Sequence, residues 1–401
     1  MNLRIGLGDV PVGTIERSEH GRTVFRFDAA YLTRPERPVL GRWFEDSLEP
    51  SFEYVEQGNR LPPFFQNYLP EQDSGLRILL ARRAGVDRRQ ELPLLAALGQ
   101  DLPGAIVVRT DDALLFDALD HEHPPASSKG GEDALRFSLA GMQLKFSVMR
   151  EDDRFTLPVA GMGGRWIAKL PDRRFPRVPE NEFSILSWAR EVGISVPEFR
   201  LEDVASINGL PTELQFSESK SLVVRRFDRD EAGARIHQED FAQVLNVRPS
   251  KKYEGFGYAT LAKIVRTICG EADYEEFLRR LTFVVLSGNA DAHLKNWSLV
   301  YPDGRRPRLA PAYDLVFTLG YPDADRRLGL QLSRDKDFAR ITRGHFERLA
   351  EKIGASPERA GAVVSETAEA ARAAWGHLRP SLPLAPELRK ALDQHLDSID
   401  L

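Results

Sequence analysis

The sequence predicts an α+β protein of two lobes, the first rich in strands and the second rich in helices, with a small α/β unit before them. Three observations support this prediction. Short segments of strand character recur up to residue 229, and the pattern from about 238 to 287 is mainly helical. Between the N-terminal unit and the first lobe, residues 117–134 are rich in Asp, His, Pro, Ser and Gly, the composition of a linker. A ligand cleft is expected where two such lobes meet.

The bulk composition excludes several classes of protein. The chain has 401 residues, enough for two or three domains, and its net charge of -5 gives no general case for nucleic acid. The single cysteine, Cys269, excludes an internal disulfide and a zinc site built on cysteine pairs. The N-terminal "MNLRIGLGDVPVG" is too short and broken for a signal peptide, and no apolar run approaches the roughly 18 residues of a membrane span. We therefore expect a soluble cytoplasmic protein that does not enter membranes.

The N-terminal unit is expected at residues 1–109. "RTVFRFD" alternates apolar and polar residues with period two, which is typical of a half-buried strand. "LPPFFQNYLPE" (61–71) is a proline-rich aromatic connector. Residues 74–85 predict a helix with a serine start and a glycine stop, and 91–109 predict a helix, a turn and a strand.

The first lobe is expected at residues 110–229 and consists mostly of strands. Its helix, at about 180–192, ends at Gly193 because glycine commonly follows the last helical residue. The strand-like segments are 137–150, 155–159, 165–170 and 221–229.

The second lobe is expected at residues 230–401. After its first helices the chain returns to extended structure at 307–318. The tail from about 343 predicts helices and carries no chemical motif.

The most polar motif is "GNADAHLKNW", residues 288–297, directly after an apolar run. Asp291 and Asn296 are five residues apart, the offset of the Asp and Asn in the catalytic loop of protein kinases. There the Asp accepts the proton of the attacking hydroxyl and the Asn binds magnesium, and Lys295 could meet a phosphate oxygen. The pair alone is common, so a solvated surface loop with an N-cap is the alternative.

A second acid, Asp314, lies in the apolar segment "APAYDLVF", which has strand character. A lone carboxylate there is costly unless it is paired or binds a metal. The 18 residues after Asn296 allow a strand pair and a turn, and the two side chains would supply the oxygen ligands that Mg²⁺ prefers. The alternative is that Asp314 caps a turn or pairs with an arginine.

Lys169 ends the apolar strand "RWIAKLP". A lysine inside such a run usually meets an anion. In kinases a strand lysine binds the ATP phosphates and pairs with a helix glutamate. Of Glu180 and Glu182 in the next helix we choose Glu182, because it lies one turn before Ile185 and Leu186 on the inward face. The alternative is a lysine at the sheet edge whose ammonium reaches solvent.

The segment "FSLAGMQLK", residues 137–145, places small residues between two strand-like arms. Ala140 and Gly141 would let backbone N–H groups approach phosphates, and Lys145 would add charge. It is neither a Walker A sequence nor the kinase glycine-rich loop, and an ordinary β-turn is the alternative.

The segment "VVRRFDR", residues 223–229, falls where the lobes should join. Backbone groups near Arg225 and Phe227 could bind an adenine edge, although a strand followed by a charged turn is the alternative. Each motif alone is weak. Their linear order, however, is that of a kinase-fold enzyme: phosphate loop, strand lysine, helix glutamate, hinge, catalytic Asp with Asn, metal Asp.

The sequence resembles the HipA-like serine/threonine kinases, the toxin component of type II toxin–antitoxin systems. The resembling stretches span roughly residues 1–330 and follow the family's order. They are "LPPFFQNYLPE", "LGQDLPGAIVV", "FSLAGMQLKFSV", "WIAKLP", "NEFSILSWAREVGISVPE", "VVRRFDR", "RIHQEDFAQVL", "GNADAHLKN" and "LAPAYDLV". The resemblance implies a bilobal protein-kinase-like fold with an extra N-terminal domain, and ATP and Mg²⁺ as cofactors.

The resemblance also implies roles for individual residues. Asp291 would be the catalytic base, and Asn296 with Asp314 would hold Mg²⁺. Ser138 matches the serine that family members autophosphorylate, which drives the phosphate loop out of the ATP site; a phosphate adds roughly −1.5 to −2 charge. The residues expected at the nucleotide are Ala140, Gly141, Met142, Gln143, Leu144, Lys145, Lys169, Arg225, Arg226, Phe227, Asp228, His293, Lys295, Asn296, Tyr313 and Asp314.

Substrates in the family are proteins of translation, notably aminoacyl-tRNA synthetases. The usual partner is a small helix-turn-helix antitoxin (HipB-like), so contact with operator DNA is expected mainly through it. The sequence departs from the family at Leu144, where an acid is frequent. It departs from ordinary protein kinases because no His-Arg precedes Asp291 and no Phe-Gly follows Asp314, so control by the usual activation loop is not expected. Two other hypotheses stay open: a small-molecule phosphotransferase and a non-catalytic co-repressor.

Overall fold

The structure of the protein is a computed structural model. It describes residues 1–18, 21–46, 52–72, 74–83, 85–99, 101–110, 144–151, 154–157, 164–210, 214 and 216–401. The predicted linker at 117–134 lies outside the described residues.

The N-terminal unit is an antiparallel sheet of five strands in the order β4-β3-β2-β1-β5, backed by short helices. Its elements are β1 Asn2–Leu7, β2 Val10–Arg17, β3 Arg22–Phe27, α1 Ala29–Leu32, α2 Arg42–Glu45, β4 Glu53–Gln57, α3 Pro63–Gln66, α4 Gly75–Arg83, α5 Glu91–Leu98 and β5 Ile106–Thr110. The alternation that predicted β3 arises because one face of the sheet packs on an aromatic core. That core contains Phe25, Phe44, Phe64 and Phe65.

The connector "LPPFFQNYLPE" is part of this core. Pro63 starts α3 at a position where a missing N–H costs nothing, and Phe64 and Phe65 are fully buried. The two prolines therefore fix a short helix whose aromatic residues face inward. The next residue, Asn67, contacts the second lobe at Val247, while Tyr68 and Leu69 stay in the core of the N-terminal unit.

The first lobe contains a six-stranded sheet in the order β10-β7-β6-β8-β11-β9, with one long helix packed against β11. Its elements are β6 Lys145–Glu151, β7 Arg154–Thr156, β8 Trp166–Lys169, α6 Val178–Glu191, β9 Phe199–Asp203, β10 Ile207–Asn208 and β11 Lys220–Arg225. Helix α6 buries Ile185, Leu186 and Trp188. It ends before Gly193, whose φ of +86° closes the helix end, as the sequence predicts.

The second lobe is mainly helical. Its elements are β12 His237–Asp240, α7 Phe241–Val244, α8 Tyr258–Cys269, α9 Glu271–Leu286, β13 Ser298–Tyr301, β14 Arg308–Leu309, β15 Arg327–Leu332, β16 Asp335–Asp337, α10 Arg343–Lys352, α11 Pro357–Leu378 and α12 Pro386–Ser398. The strands form a small sheet, β12-β13-β14, and a hairpin, β15-β16. Among the described helices, none combines the length and apolar character that crossing a membrane requires.

Two predictions about the second lobe are wrong in detail. The helical region expected from about 238 opens with strand β12, whose partner β13 comes 58 residues later in the chain and could not be foreseen locally. The segment expected to be extended, 307–318, holds strand only at β14. Beyond β14 the chain follows irregular backbone. Its polar groups bond to other loops and to the Asn181 side chain on α6, and not to a neighbouring strand.

Candidate functional site

Four charged side chains meet where the two lobes face each other. The Lys169 ammonium, at the end of β8, donates to the carboxylate of Glu182 on α6 and to that of Asp314 from the second lobe. Lys145 lies opposite Lys169 on β6 and places its Nζ 3.3 Å from Oδ2 of Asp314. Three distant parts of the chain therefore converge on one charged cluster.

Burial and the opposite charges within the cluster act against each other on the pKa values of Lys169, Asp314 and Glu182. Burial alone would lower the pKa of Lys169, but the carboxylates of Asp314 and Glu182 outweigh it and hold that pKa above its usual value. Burial opposes the charge of Asp314 too, yet the ammoniums of Lys145 and Lys169 hold its pKa well below the usual range. Burial raises the pKa of Glu182, and Lys169 offsets part of that rise. Asp314 is thus a carboxylate that remains charged, with one lysine ammonium at each of its oxygens.

Asp314 does not lie in a strand. Its φ is +52°, the left-handed region that Asp tolerates better than most side chains because it is short and polar. This turn aims its carboxylate back at the lysines, while its carbonyl accepts a hydrogen bond of 3.1 Å from Asn289 Nδ2. The strand predicted here from apolar neighbours is wrong, because Leu315 and Phe317 are buried by loop packing.

The loop with Asp291 and Asn296 begins where α9 ends. Gly288 turns the chain with φ of +61°, and a side chain there would lie 3.0 Å from Phe317. Asn296, in the 3₁₀ turn Leu294–Asn296, donates through Nδ2 to the Asp291 carbonyl at 2.8 Å. This bond closes the loop across the five-residue spacing, and the side-chain oxygen of Asn296 is the atom that could bind a metal ion.

Asn289 is a residue of this site that sequence reasoning missed. It is almost fully buried, its Oδ1 accepts from the Asp291 N–H at 3.0 Å, and its Nδ2 bonds to Asp314. One side chain therefore fixes the backbone at both acids. Its position two residues before Asp291 is the only signal that the sequence carries for this role.

Tyr253 is the second missed residue. Its hydroxyl donates to the Asp291 carboxylate, while its ring packs edge-on against His293 with centroids 4.9 Å apart. Loss of water around Asp291 raises the pKa of that carboxyl, and the Tyr253 hydroxyl lowers it again in part. The pKa of His293 lies well below its usual value because the ring is buried next to Lys252 and Lys295, so His293 is neutral.

Lys295 contacts the N-terminal unit in this structure. Its Nζ donates to the carbonyl oxygen of Asn67 at 2.7 Å and to Oδ1 of the same residue at 3.1 Å, and it lies 3.5 Å from Asp240. The Tyr313 hydroxyl donates to the Lys295 carbonyl at 2.8 Å. The sequence suggested that Lys295 contacts a phosphate. In this structure its ammonium contacts Asn67 and Asp240.

The predicted hinge divides into a structural part and a part that faces the cleft. Arg226 and Asp228 are buried as a two-bond ion pair, at 2.9 and 2.8 Å, and Asp101 accepts from Arg226 at 2.7 Å. The backbone N–H of Arg225 bonds to Glu198. The contact with Asp101 ties the hinge to the N-terminal unit, and the bond to Glu198 ties it to the first lobe.

Phe227 is the hinge residue that approaches the cleft. It is half-buried, and its ring centroid lies 5.7 Å from that of Tyr313, directly before Asp314. The phosphate-loop residues Ser138, Ala140, Gly141, Met142 and Gln143 lie outside the described residues. Leu144 is buried in the core of the first lobe, and its carbonyl accepts from the Leu170 N–H at 2.9 Å. An apolar residue at that position therefore fits the sheet.

Comparison with known proteins gives matches over nearly the whole chain. A family model described as HipA-like C-terminal domain matches residues 137–375, and one described as HipA N-terminal domain matches residues 3–109. One relative is the Sinorhizobium fredii protein Y4dM, which is named as a kinase. It is 40% identical over 403 residues, which cover 100% of this chain and 97% of Y4dM. The serine/threonine-protein kinase toxin HipA of Shewanella oneidensis is 28% identical over 314 residues, 70% of this chain and 68% of that one.

A solved structure of the Shewanella oneidensis HipA, HipB and operator DNA complex has a similar fold. Its TM-score is 0.74 at 20% identity, over 99% of this chain and 95% of that chain. The likeness includes the N-terminal unit. The predicted fold class, a bilobal kinase-like α+β fold with an additional N-terminal unit, is confirmed.

Proposed function

The chain belongs to the HipA-like family, and from that premise we propose that it is an ATP- and Mg²⁺-dependent serine/threonine protein kinase that acts as a toxin. One observation carries the proposal: Lys169 and Glu182 of the first lobe meet Asp314 of the second, and Asn289 joins Asp314 to Asp291. A lysine, a metal-binding acid and a base in one cleft are the parts that phosphoryl transfer requires.

The residues on the second lobe fit a magnesium ion. Asp314 is a charged carboxylate, and the Asn296 amide is held so that its oxygen is available; hard oxygen donors of this kind suit Mg²⁺. When bound, the ion supplies positive charge to the phosphate oxygens. Lys169 and Lys145 bind the phosphates from the other lobe, and Glu182 keeps Lys169 extended across the sheet. Phe227 and the backbone beside it hold the adenine.

Asp291 is the base of the proposed reaction. It takes the proton from a serine or threonine hydroxyl, the hydroxyl oxygen attacks the γ-phosphorus, and the bond from the γ-phosphorus to its bridging oxygen breaks so that ADP leaves. The Tyr253 hydroxyl makes with Asp291 the contact that a substrate hydroxyl would make. Tyr253 therefore marks the place at which the substrate oxygen arrives.

The substrate and partners follow from the family. We infer that the substrate is a protein of translation, an aminoacyl-tRNA synthetase, and that Ser138 is the site of inhibitory autophosphorylation. A helix-turn-helix antitoxin is the proposed partner, and DNA contact runs mainly through it; the Shewanella HipA structure, a complex with HipB and operator DNA, supports this arrangement. The proposed domains are residues 1–109, 110–229 and 230–401.

Phosphate transfer from labelled ATP tests the proposal. The wild-type protein with Mg²⁺ should label Ser138, as located by mass spectrometry of peptides, and Asp291→Ala should incorporate no label. Transfer to a small alcohol with no protein labelled would identify a small-molecule phosphotransferase instead. If folded wild type labels nothing and Asp291→Ala keeps every effect of wild type in cells, the co-repressor hypothesis replaces the kinase.

A further inference from the structure

The connector "LPPFFQNYLPE" ends on the catalytic loop, a contact that the proposed chemistry does not use. Asn67 is buried, and its Nδ2 donates to the carbonyl oxygens of Pro63 and Val247, both at 2.8 Å. Its own carbonyl and Oδ1 accept from Lys295. A single residue of the N-terminal unit is thus fixed by its side-chain amide on one side and bonded, through its carbonyl and its Oδ1, to the loop of Asp291 and Asn296 on the other.

The Lys295 ammonium contacts two residues in this geometry. A lysine ammonium has three donors. Its two hydrogen bonds go to Asn67, and it forms an ion pair of 3.5 Å with Asp240, whose carboxylate is held at the start of α7 by the Gln243 N–H. These contacts join the loop to the N-terminal unit.

A second connection runs through Lys252. Glu71, at the end of the same connector, lies 2.5 Å from the Lys252 ammonium. The Lys252 carbonyl accepts from the Leu294 N–H at 3.2 Å, and the next residue, Tyr253, bonds to Asp291. The connector therefore reaches the loop by two routes, directly through Lys295 and indirectly through Lys252.

We propose that Asn67 and Glu71 are positioning residues, which hold the loop of Asp291 and Asn296 through Lys295 and Lys252 in its working conformation. The proposal rests on the proposed kinase function for its activity readout. Its physical basis is that loop residues must be held closely, since a displacement of about 1 Å lowers rates by roughly 100-fold. The N-terminal unit is then part of the catalytic apparatus, although no atom of it is proposed to touch the nucleotide.

The interface offers a matched control. Glu56 on β4 accepts two bonds of 2.8 Å from Arg248, so it joins the same two parts of the protein. It makes no recorded contact with the residues of the loop, 291–296, all of which are described. Glu56→Gln removes an ion pair of the same interface without changing what holds Lys295.

The test compares wild type, Asn67→Ala, Lys295→Met, the double variant and Glu56→Gln in the full chain. Asn67→Ala should lower kcat roughly 10- to 100-fold, with KM for ATP within about twofold, because the reacting groups move and the phosphate site does not. Lys295→Met also removes the bond to the Asn67 carbonyl and should lower kcat at least as much, the double variant should lose no more than Lys295→Met, and Glu56→Gln should keep the wild-type kcat.

Amide hydrogen exchange of residues 291–297 gives a readout that needs no activity. Asn67→Ala should raise exchange there, and Glu56→Gln should not. Unchanged hydrogen exchange in Asn67→Ala overturns the proposal. It is also overturned if Lys295→Met raises the KM for ATP while Asn67→Ala behaves as wild type, because Lys295 would then bind a phosphate. If wild type transfers no phosphate, the kinase function fails by itself, and hydrogen exchange still decides whether Asn67 holds the loop.

Discussion

Removal of the Lys169 ammonium should destabilise the protein in a way that depends on pH. Lys169→Met leaves Glu182, whose side chain is 2% exposed, without its cation, while Asp314 keeps Lys145. Loss of one partner of a buried pair typically costs about 3–5 kcal/mol. The variant limits this cost because Glu182 takes up a proton and becomes neutral. Protonating a carboxyl with the ordinary pKa of 4.5 requires about 3.4 kcal/mol at pH 7 and about 0.7 kcal/mol at pH 5.

The sign follows from linkage. Without Lys169 the folded pKa of Glu182 rises further above its unfolded value, so the variant is penalised above pH 4.5 and the penalty grows as pH rises toward the folded pKa. We expect Lys169→Met to lose about 3 kcal/mol of unfolding free energy at pH 7 and less than about 1 kcal/mol at pH 5. Lys169→Met combined with Glu182→Gln should recover most of the loss at pH 7.

Urea denaturation followed by tryptophan fluorescence measures these differences against wild type. Lys251→Met, which breaks an exposed pair with Glu254, is the matched control and should change the unfolding free energy by about 0–1 kcal/mol at either pH. Equal destabilisation at pH 5 and pH 7, or a double variant no more stable than Lys169→Met, would refute the reasoning.

Three further changes test the second lobe. Tyr253→Phe removes the bond that favours the charged form of Asp291, so the pKa of Asp291 should rise and the acid limb of the pH profile of kcat/KM should move to higher pH. An acid limb that stays in place would show that Tyr253 does not set this pKa. Asn289→Ala leaves the Asp291 N–H and the Asp314 carbonyl without their partner, so it should lower the unfolding free energy by about 1–3 kcal/mol and should lower kcat. A variant with the wild-type kcat would show that Asn289 does not position the two acids. Gly288→Ala places a side chain at φ +61° and 3.0 Å from Phe317, and should lower the melting temperature; an unchanged value would mean that the loop relaxes freely.

Elements with a strong local pattern were predictable from the sequence. The period-two alternation of β3, the glycine after α6 and the helical tail all follow from interactions within a few residues. The choice of Glu182 over Glu180 rested on the inward face of α6, and the structure brings Glu182 to Lys169 while Glu180 pairs with Arg177 at 3.1 Å. Helix periodicity carries this information because it fixes which side chains share a face.

Features that depend on contacts between distant segments were not predictable. Apolar neighbours suggested a strand at Asp314, but a left-handed turn and bonds from Asn289 determine its conformation. Tyr253 lies 38 residues before Asp291, and nothing local links them. The contact of Lys295 with Asn67, 228 residues earlier in the chain, also has no local signal in the sequence. Tertiary contacts of this kind leave no periodic signal.

The most direct test of the central claim is a crystal structure of the protein with a non-hydrolysable ATP analogue and Mg²⁺. We predict one nucleotide between the lobes, with its phosphates hydrogen-bonded to Lys169, a magnesium ion shared by Asn296 and Asp314, and the γ-phosphate facing Asp291. A nucleotide bound elsewhere, or one whose phosphates reach neither Lys169 nor Asp314, would contradict the account.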